Sequence, residues 1–325
     1  MGDTMIEVQG LAKRFGDVQA VGGVDFGVEQ GELFGFLGPN GAGKTTTINM
    51  LTGLARPDTG TIRIAGIDCS RNPKAAQHLM GVVPDESNLY PELTGLGNLT
   101  FCGALYGMAR RDREVRARDL LDQFGLAEAA DRKFAGYSKG MKRKLTIAAG
   151  IIHAPPILFL DEPTTGIDVA SARQIRQMIA DLNGGGTTIF LTTHYIEEAE
   201  RLCRRIAFIV RGRIVCIDSV DGLMLQTQGR HVVLFTVSRN TDGLCEEIAA
   251  EFPALQCQAV PGGSIRVESS EPVRVGPLVR LLEDRGAEVS EARKMQPSLE
   301  DVFVRVTGIE AGTMKQEKAK MGGGK

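Results

Sequence analysis

The sequence predicts an α/β protein with two domains, and three observations support this prediction. A glycine-rich segment at 38–46 lies between a short apolar run and a helical pattern and fits G-x-x-x-x-G-K-[ST]. Apolar runs at 157–161 and 187–192 alternate with helical segments, which is typical of strands buried on both faces of a parallel sheet. From about residue 222 the pattern becomes β-α-β-β-α-β, the order of a ferredoxin-like unit. With 325 residues, the chain is long enough for both domains.

The sequence patterns divide the chain into three regions. Residues 1–221 form the α/β core, and residues 222–310 form a small C-terminal α+β accessory domain. Residues 311–325 show no periodicity and are predicted to be a disordered tail.

The elements of the first domain follow from local patterning. We predict strands at 6–8, 23–28, 33–37 and 61–64, with a helix at 46–51. Residues 94–130 are mostly helical, and the mixed charges at 110–118 are typical of a solvated helix face. Helices at about 171–182 and 195–203 alternate with the two buried strands, and a hairpin at 206–217 turns at Arg211-Gly212.

The second domain shows shorter elements. We predict strands at 232–237, 255–260, 264–269 and 287–292, with helices at 243–252 and 275–285 and a turn at Pro261-Gly262-Gly263. A last helix begins at Ser298, where Asp301 supplies a capping signal.

Composition excludes several kinds of protein. The net charge of −2 provides no bulk attraction to nucleic acid or to an acidic membrane surface. The six cysteines include no C-x-x-C pair, so we expect reduced, mostly buried thiols and neither a metal site nor a disulfide framework. The N-terminus lacks the features of a secretory signal, and no apolar run approaches the ~20 residues that span a bilayer. We therefore expect that the protein does not cross a membrane by itself.

The segment at 38–46 has the residue types of a phosphate-binding P-loop. Glycines let successive backbone N–H groups point at an anion. In such a loop we expect Lys44 to reach the β- and γ-phosphates and the Thr45 hydroxyl to ligate Mg²⁺. We expect the helix that follows to present its positive end to the phosphates. The alternative is a chance glycine-rich turn between a strand and a helix.

Three more candidates follow buried strands. Asp161 ends the strand at 157–161 and is the expected Mg²⁺ partner, while Glu162 can activate a water. His194 follows the strand at 187–193 and is a candidate γ-phosphate contact. Since α/β sheets place ligands at the carboxyl ends of their strands, these residues are expected at one site. The alternatives are an ordinary acidic turn and a structural histidine.

A fourth segment, 137–145, begins with Tyr137-Ser138-Lys139-Gly140-Met141. Taken alone, it is a serine-capped helix start with basic residues. Lys142, Arg143 and Lys144 fall on different helix faces, so they do not form a stripe that would bind nucleic acid.

Together these motifs resemble the ATP-binding subunit of an ABC transporter, continuously over residues 5–220. The resemblance implies a P-loop NTPase core of ABC type with antiparallel β and helical subdomains. It implies that Glu162 and His194 are catalytic residues. It also implies that Thr45, Asp161 and Asp85 bind Mg²⁺. It assigns ATP binding to Phe15, which stacks on adenine, Gly38, Pro39, Asn40, Gly41, Ala42, Gly43, Lys44, Thr45, Thr46, Asp85, the signature residues Ser138, Lys139 and Gly140, and Asp168 in Gly166-Ile167-Asp168.

The subclass is narrowed by three segments: Val82 to Glu86, the Tyr-Ser-x-Gly-Met form of the signature, and Pro297 to Phe303. These are similar to ATP-binding subunits of type-2 exporters, including the daunorubicin-resistance type. The resemblance implies a homodimer with ATP between the P-loop of one subunit and the signature of the other. It also implies separate polytopic membrane subunits, docked at a groove around 85–96, and a location on the cytoplasmic face of the cell membrane.

Two positions depart from the family pattern. Lys139 replaces the first signature glycine, and Asp85 stands where the family usually has glutamine. Lys139 either faces the partner's γ-phosphate or extends into solvent. Asp85 either approaches Mg²⁺ or lies in a solvated turn.

Two other functions fit a P-loop. A soluble ABC ATPase acting in DNA repair or on ribosomes carries long coiled coils or two cassettes in one chain, and neither is present here. A P-loop kinase needs neither the signature nor His194.

Overall fold

The structure, a computed structural model, describes residues 3–225, 231–238, 243–260, 263–295 and 298–309. They divide into two compact units: the residues up to Val220 together with those from Val306, and Asp221–Arg305. The predicted tail at 311–325, the turn residues Pro261 and Gly262, and Pro297 lie outside the described residues. Within the described ranges, no helix combines the length and apolar character needed to cross a bilayer.

The first unit contains two sheets and a group of helices. Its elements are β1 (Thr4–Phe15), β2 (Val18–Glu29), β3 (Leu33–Leu37), α1 (Lys44–Leu51), β4 (Thr59–Ile64), β5 (Ile67–Asp68), α2 (Pro73–Gln77), β6 (Met80–Val83), α3 (Gly95–Leu105), α4 (Arg110–Gln123), α5 (Lys139–Gly150), β7 (Ile157–Asp161), α6 (Val169–Gly184), β8 (Thr188–Thr193), α7 (Ile196–Leu202), β9 (Arg205–Val210) and β10 (Arg213–Ser219).

The central sheet has the order β10-β9-β3-β8-β7-β6 and is parallel except for the β9–β10 hairpin. Every residue of β3, β7 and β8 is buried, because the sheet is covered on both faces. The prediction of buried strands from these apolar runs is therefore confirmed. In the register, Leu37 lies beside Thr193 and Asp161 beside Thr192, so the carboxyl ends of the three strands meet at one edge.

The second sheet is antiparallel, with the order β2-β1-β4-β5. Its first two strands, β1 and β2, are longer than the short runs that the sequence predicted. They continue through register shifts, and their buried and exposed side chains do not alternate strictly. The predicted helical stretch at 94–130 contains α3 and α4, and most charged residues of α4 are exposed.

The second unit is the predicted ferredoxin-like fold. Its region of the chain contains α8 (Val220–Leu225), β11 (His231–Val237), α9 (Leu244–Glu251), β12 (Gln256–Val260), β13 (Ser264–Ser269), α10 (Val275–Asp284), β14 (Val289–Met295) and α11 (Leu299–Thr307). The strand order β12-β13-β11-β14, with antiparallel pairs throughout, leaves one face for α9 and α10. Their apolar residues pack on Phe235 and Ile265. The predicted start of the last helix is confirmed, because Ser298 and Asp301 exchange hydrogen bonds.

The expectation that all six cysteines are reduced is wrong for two of them. Cys245 in α9 and Cys257 in β12 form a disulfide, with Cα atoms 5.2 Å apart. No sequence motif indicates this pair, because its members are 12 residues apart and meet only when α9 packs on β12. Cys69, Cys102, Cys203 and Cys216 are free.

Candidate active site

The glycine-rich segment forms a loop between β3 and α1, at the edge where the buried strands end. Gly43 has φ +105°, and a Cβ there would lie 2.4 Å from the carbonyl oxygen of Ala20. Only glycine fits this conformation and this approach to β2. The loop thus packs its backbone closely against β2 just before α1 begins.

Lys44 is the first residue of α1 and is 5% exposed. Its Nζ donates hydrogen bonds to the carbonyl oxygens of Gly38, at 2.7 Å, and Pro39, at 3.1 Å. The same Nζ lies 3.2 Å from Oε1 of Glu162. The lysine is therefore held over the loop, where it can exchange these partners for phosphate oxygens.

Asp161, at the end of β7, is buried and hydrogen-bonded. The Thr192 hydroxyl of β8 donates to its Oδ1, and Thr45 also bonds its side chain. Burial raises the pKa of the Asp161 carboxyl, and these hydrogen bonds oppose the shift. Carboxylate and hydroxyl oxygens are the hard ligands that Mg²⁺ prefers, so Thr45 and Asp161 fit this cation.

Glu162 adopts φ +50°, in the left-handed region, which costs a non-glycine residue about 1–2 kcal/mol. Its Oε2 lies 2.6 Å from Nδ1 of His194 and accepts a 2.9 Å hydrogen bond from the Thr165 hydroxyl. Burial opposes ionisation, but His194 and the Lys44 ammonium outweigh it and lower the pKa of Glu162 to about 2. The carboxylate is therefore ionised at neutral pH and can accept a hydrogen bond from water.

His194 follows β8 and is 6% exposed. Its Nδ1 contact with Glu162 orients the ring, and Nε2 is its second polar atom. The main-chain N–H of Glu162 donates to the Thr192 carbonyl at 3.0 Å, which ties the ends of β7 and β8 together. The two predicted catalytic side chains are thus brought into direct contact.

Two clefts adjoin this group. A cleft of 510 Å³ is lined by Val18, Gln19, Ala20, Asn40, Gly41, Gly43, Lys44, Thr45, Thr46, Asp85, Glu162 and Arg211. A cleft of 740 Å³ is lined by Asn40, Asp85, Glu86, Ser87, Lys139, Lys142, Arg143, Thr146, Thr165, Gly166, Ile167, His194 and Tyr195. Asp85 and Asn40 line both, so the structure brings most predicted site residues to one region.

The signature and the segment at 166–168 meet at the ends of two helices. Ser138 caps α5 by accepting a hydrogen bond from the Met141 N–H, at 3.2 Å, and Asp168 caps α6 through the Ser171 N–H, at 2.9 Å. A Cβ on Gly140 would lie 2.5 Å from the Ser171 hydroxyl oxygen, so the two helix ends approach closely. Lys139, the first residue of α5, is exposed.

Of the remaining predicted residues, Phe15 is 55% exposed at the end of β1 and does not line either cleft. It pairs in the hairpin with Val18, which does line the first cleft. Ala42 is 2% exposed within the loop. The sequence patterns assigned no site role to Val18, Gln19 or Ala20, which belong to no motif, and placed Arg211 only in a hairpin turn. These residues reach the cleft through the folding of β2 and of the β9–β10 hairpin.

The chain is similar to known ATP-binding proteins. Residues 21–165 match the ABC transporter family. The chain is 38% identical to the daunorubicin resistance ATP-binding protein DrrA2 of Streptomyces coeruleorubidus, with 93% of this chain and 95% of that protein covered. It is 34% identical to the linearmycin resistance ATP-binding protein LnrL of Bacillus subtilis, with 94% and 98% covered. It is 36% identical to the Nod factor export ATP-binding protein I of Paraburkholderia xenovorans, with 95% and 99% covered.

Solved structures give the same result. The ATP-binding subunit of an ABC transporter is 31% identical, with a TM-score of 0.63 over 69% of this chain and 93% of that chain. A dimeric ATP-binding cassette in a post-hydrolysis state, bound to ADP and Pi, is 26% identical, with a TM-score of 0.61 over 66% of this chain and 99% of that chain.

Proposed function

Because this chain belongs to the ABC transporter family as one of its ATP-binding subunits, we propose that it binds and hydrolyses ATP to power export through separate membrane subunits. One observation carries the proposal: Lys44, Asp161, Glu162 and His194 meet at the carboxyl edge of the central sheet, next to the glycine-rich loop. The relatives that cover nearly the whole chain are ATP-binding proteins of resistance and export.

The first cleft accommodates the triphosphate. Backbone N–H groups of the loop around Gly41 and Gly43 and the positive end of α1 favour the phosphates, and Lys44 binds the β- and γ-phosphates. Phe15, exposed beside Val18, offers a ring on which adenine stacks.

Mg²⁺ fits the oxygens of Thr45 and Asp161, with Asp85 as a further carboxylate at the same cleft. When bound, the cation neutralises charge on the β- and γ-phosphates. Asp161 stays in place because Thr192 holds it from the neighbouring strand.

Hydrolysis follows from the position of Glu162. Its carboxylate accepts a hydrogen bond from the attacking water and takes its proton as the water oxygen bonds to the γ-phosphorus. The bond from that phosphorus to the bridging oxygen breaks, which gives ADP and phosphate. His194 orients the carboxylate through Nδ1. Its Nε2 forms a hydrogen bond with the γ-phosphate.

Two copies of the chain complete each site. Ser138, Lys139 and Gly140 at the start of α5, with Asp168 at the start of α6, supply the surface that faces the ATP of the partner subunit. The backbone N–H groups at the start of α5 favour an anion there. The dimeric cassette bound to ADP and Pi is similar to 66% of this chain.

The membrane subunits dock at a second surface of the first unit. A groove of 680 Å³ is lined by Thr52, Leu54, Lys74, Gln77, His78, Met80, Val82, Pro84, Glu86, Asn88, Leu105 and Tyr106. Leu54 and Leu105 are 71% and 69% exposed, so the groove offers apolar surface to a helix of the membrane subunit. This docking places the chain on the cytoplasmic face of the cell membrane.

The names of the relatives indicate only the chemical class of the exported substrate. Their names give daunorubicin, linearmycin and Nod factor, so we propose a drug, a lipid or a similar compound as the exported substrate. Selection among these belongs to the membrane subunits.

The test of the ATPase is Glu162→Gln. We expect the turnover rate to fall by ~10²–10⁴-fold, because a positioned base is lost. ATP binding should persist, since Lys44, Thr45 and Asp161 are unchanged, and ATP should hold two subunits together in a stable dimer. The matched control is Glu197→Gln, the same change at an exposed position of α7, which should leave turnover unchanged.

Near-normal turnover in Glu162→Gln, in protein free of contaminating ATPase, would contradict the assignment of the base. The transport role has a separate test. The protein should co-purify from detergent-solubilised membranes with a polytopic membrane protein, and an active ATPase that never does so would be a soluble enzyme.

A further inference from the structure

Arg143, in α5, is 6% exposed. Among the described residues, its guanidinium group donates hydrogen bonds only to main-chain carbonyl oxygens. Nε donates to Pro163 at 2.8 Å, Nη1 to Pro84 and, at 3.2 Å, to Asp85, and Nη2 to Asp161 at 2.8 Å and to Glu162 at 2.5 Å. A guanidinium has five N–H donors, so this set of carbonyls satisfies all of them. A buried cation is tolerated only when it is paired or fully hydrogen-bonded, which makes this a specific arrangement.

The first group of these carbonyls belongs to the backbone around the catalytic glutamate. Nη2 binds the oxygens of Asp161 and Glu162, on the two peptide planes that flank the left-handed backbone of Glu162. A strained conformation persists only when its surroundings fix it. Arg143 fixes these peptide planes, and the direction of the Glu162 side chain depends on them.

The second group of carbonyls belongs to the segment after β6. Nη1 binds the oxygens of Pro84 and Asp85, and the Thr146 hydroxyl of the same helix donates to the Ser87 hydroxyl at 2.8 Å. This segment leads into the groove proposed for the membrane subunit. One helix, α5, therefore holds both the segment at the groove and the segment at the catalytic carboxylate.

We propose that Arg143 is a positioning residue, which holds the Glu162 backbone in its left-handed conformation and links it to the Asp85 segment and to α5. The proposal rests on the ATPase function proposed above. Arg143 acts through the orientation of Glu162 and not by contact with ATP. A movement of α5 or of the Asp85 segment then changes the position of the catalytic carboxylate within the same subunit.

The first experiment compares Arg143→Lys with wild type. A lysine keeps the charge but has three donors on a single nitrogen, so it cannot reach all these carbonyls at once. We expect kcat to fall by about 10²-fold, because a misplaced catalytic group costs rate. The KM for ATP should change by less than about 3-fold, because Lys44 and the loop are untouched. The control Lys144→Gln removes a charge from the neighbouring position of α5 and should keep both constants.

The second experiment combines Arg143→Lys with Glu162→Gln. If Arg143 acts through Glu162, the residual rate of Glu162→Gln does not fall further in the double variant. If Arg143 instead had a structural role elsewhere, the losses of rate in the two single variants would multiply in the double variant. That result would overturn the proposal. A rise in KM with unchanged kcat would also overturn it.

The third experiment is chemical rescue of Arg143→Ala, with thermal unfolding measured in parallel. Added guanidinium ion at low millimolar concentration should restore part of kcat, and ammonium ion should not. If neither ion restores activity in a variant that unfolds at the wild-type temperature, the proposal is wrong. If Arg143→Ala does not fold, the kcat of the lysine variant and its double variant decide the question.

The outcomes separate this proposal from the ATPase function. Absence of turnover in wild type with its partners present would defeat the ATPase function itself. An active wild type with an inactive Glu162→Gln, together with full kcat in both Arg143 variants, would defeat only the role of Arg143.

Discussion

In the structure, the carboxylate of Glu162 lies between two cationic or hydrogen-bonding side chains, Lys44 and His194. In the function proposed above Lys44 also binds phosphate, and we therefore expect ATP to compete with Glu162 for the same ammonium group. When Lys44 turns to the phosphates, Glu162 loses one of the charges that keep its pKa low. We therefore expect nucleotide binding to make this carboxylate a stronger base.

Lys139 brings a charge to a position where the family has glycine. It starts α5 in an exposed position beside backbone N–H groups that favour an anion. We expect Lys139→Gly, made in the Glu162→Gln protein, to weaken ATP-driven dimerisation by roughly 2- to 5-fold at low salt, as for an exposed ion contact of up to 1 kcal/mol. The dependence of dimerisation on salt should also become shallower.

The measurement is sedimentation equilibrium with ATP at low and high salt. Lys144→Gln serves as the control, since it removes a charge from the same helix. Unchanged dimerisation and unchanged salt dependence in Lys139→Gly would mean that the lysine extends into solvent.

Asp85 places a third carboxylate near Asp161 and Glu162. It lines both clefts, and its negative charge is tolerable beside a triphosphate only when a cation is present. We expect the ATPase activity of the wild type to depend more steeply on Mg²⁺ than that of Asp85→Gln. In Asp85→Ala, half-saturating Mg²⁺ should rise by about 10-fold, as for loss of a residue that supports a metal site.

Mg²⁺ titrations of the ATPase rate, with the membrane subunits present, compare the three proteins. If Asp85→Ala equals wild type in both rate and half-saturating Mg²⁺, then Asp85 belongs to a solvated turn.

At the scale of elements, the end of α3 is tied to β6 by a histidine. The ring of His153 stacks on Tyr106, with centroids 3.5 Å apart, and its Nε2 bonds the Met80 carbonyl at 3.1 Å. Within the described part of the chain, its Nδ1 is buried and has no hydrogen-bond partner. The imidazole is therefore a neutral group in the folded protein.

Burial lowers the pKa of His153 from 6.5 to about 4. Between these values the unfolded chain binds a proton that the folded chain does not, so the free energy of unfolding falls as the pH falls from 6.5 towards 4. Allowing for the partial exposure of the ring, this loss is about 1 kcal/mol between pH 7 and 5.

Denaturant unfolding at both pH values checks this expectation with His153→Phe, which keeps the aromatic contact with Tyr106. The variant should lose about 1 kcal/mol less than wild type on acidification. His231→Gln, a change at an exposed position of β11, should follow the wild type. An equal acid-induced loss in all three proteins would show that His153 does not contribute.

The elements also show which features a sequence can predict. The loop at 38–46 and the pair Asp161-Glu162 are contiguous motifs beside apolar runs, and the structure places them where those runs indicated. Arg143 was assigned no role, because its carbonyl partners come from two segments that meet α5 only in the folded chain. The β6 strand was also missed, since its four residues show no periodicity of their own.

At the scale of the whole molecule, the proposed chemistry belongs to one unit. All the candidate catalytic and nucleotide-binding residues lie between Phe15 and His194, within the first unit. Among its described residues, the second unit has a closed apolar core around Phe235 and Ile265 and no cluster of possible metal ligands. We propose that it regulates or stabilises the subunit pair and takes no part in the reaction.

A truncation that ends near residue 220 tests whether the second unit contributes to pairing and not to ATP binding. The nucleotide site is retained in full, so we expect the dissociation constant for ATP to stay within about 3-fold of the full-length value, as for sites that do not share contacts. Pairing should be weaker, which is measured as ATP-driven dimerisation of the truncated and full-length Glu162→Gln proteins. Circular dichroism and thermal unfolding first establish that the truncated protein is folded. A folded truncation that no longer binds ATP would reassign the second unit to the active site, whereas one that binds ATP and dimerises as well as the full-length protein would remove its role in pairing.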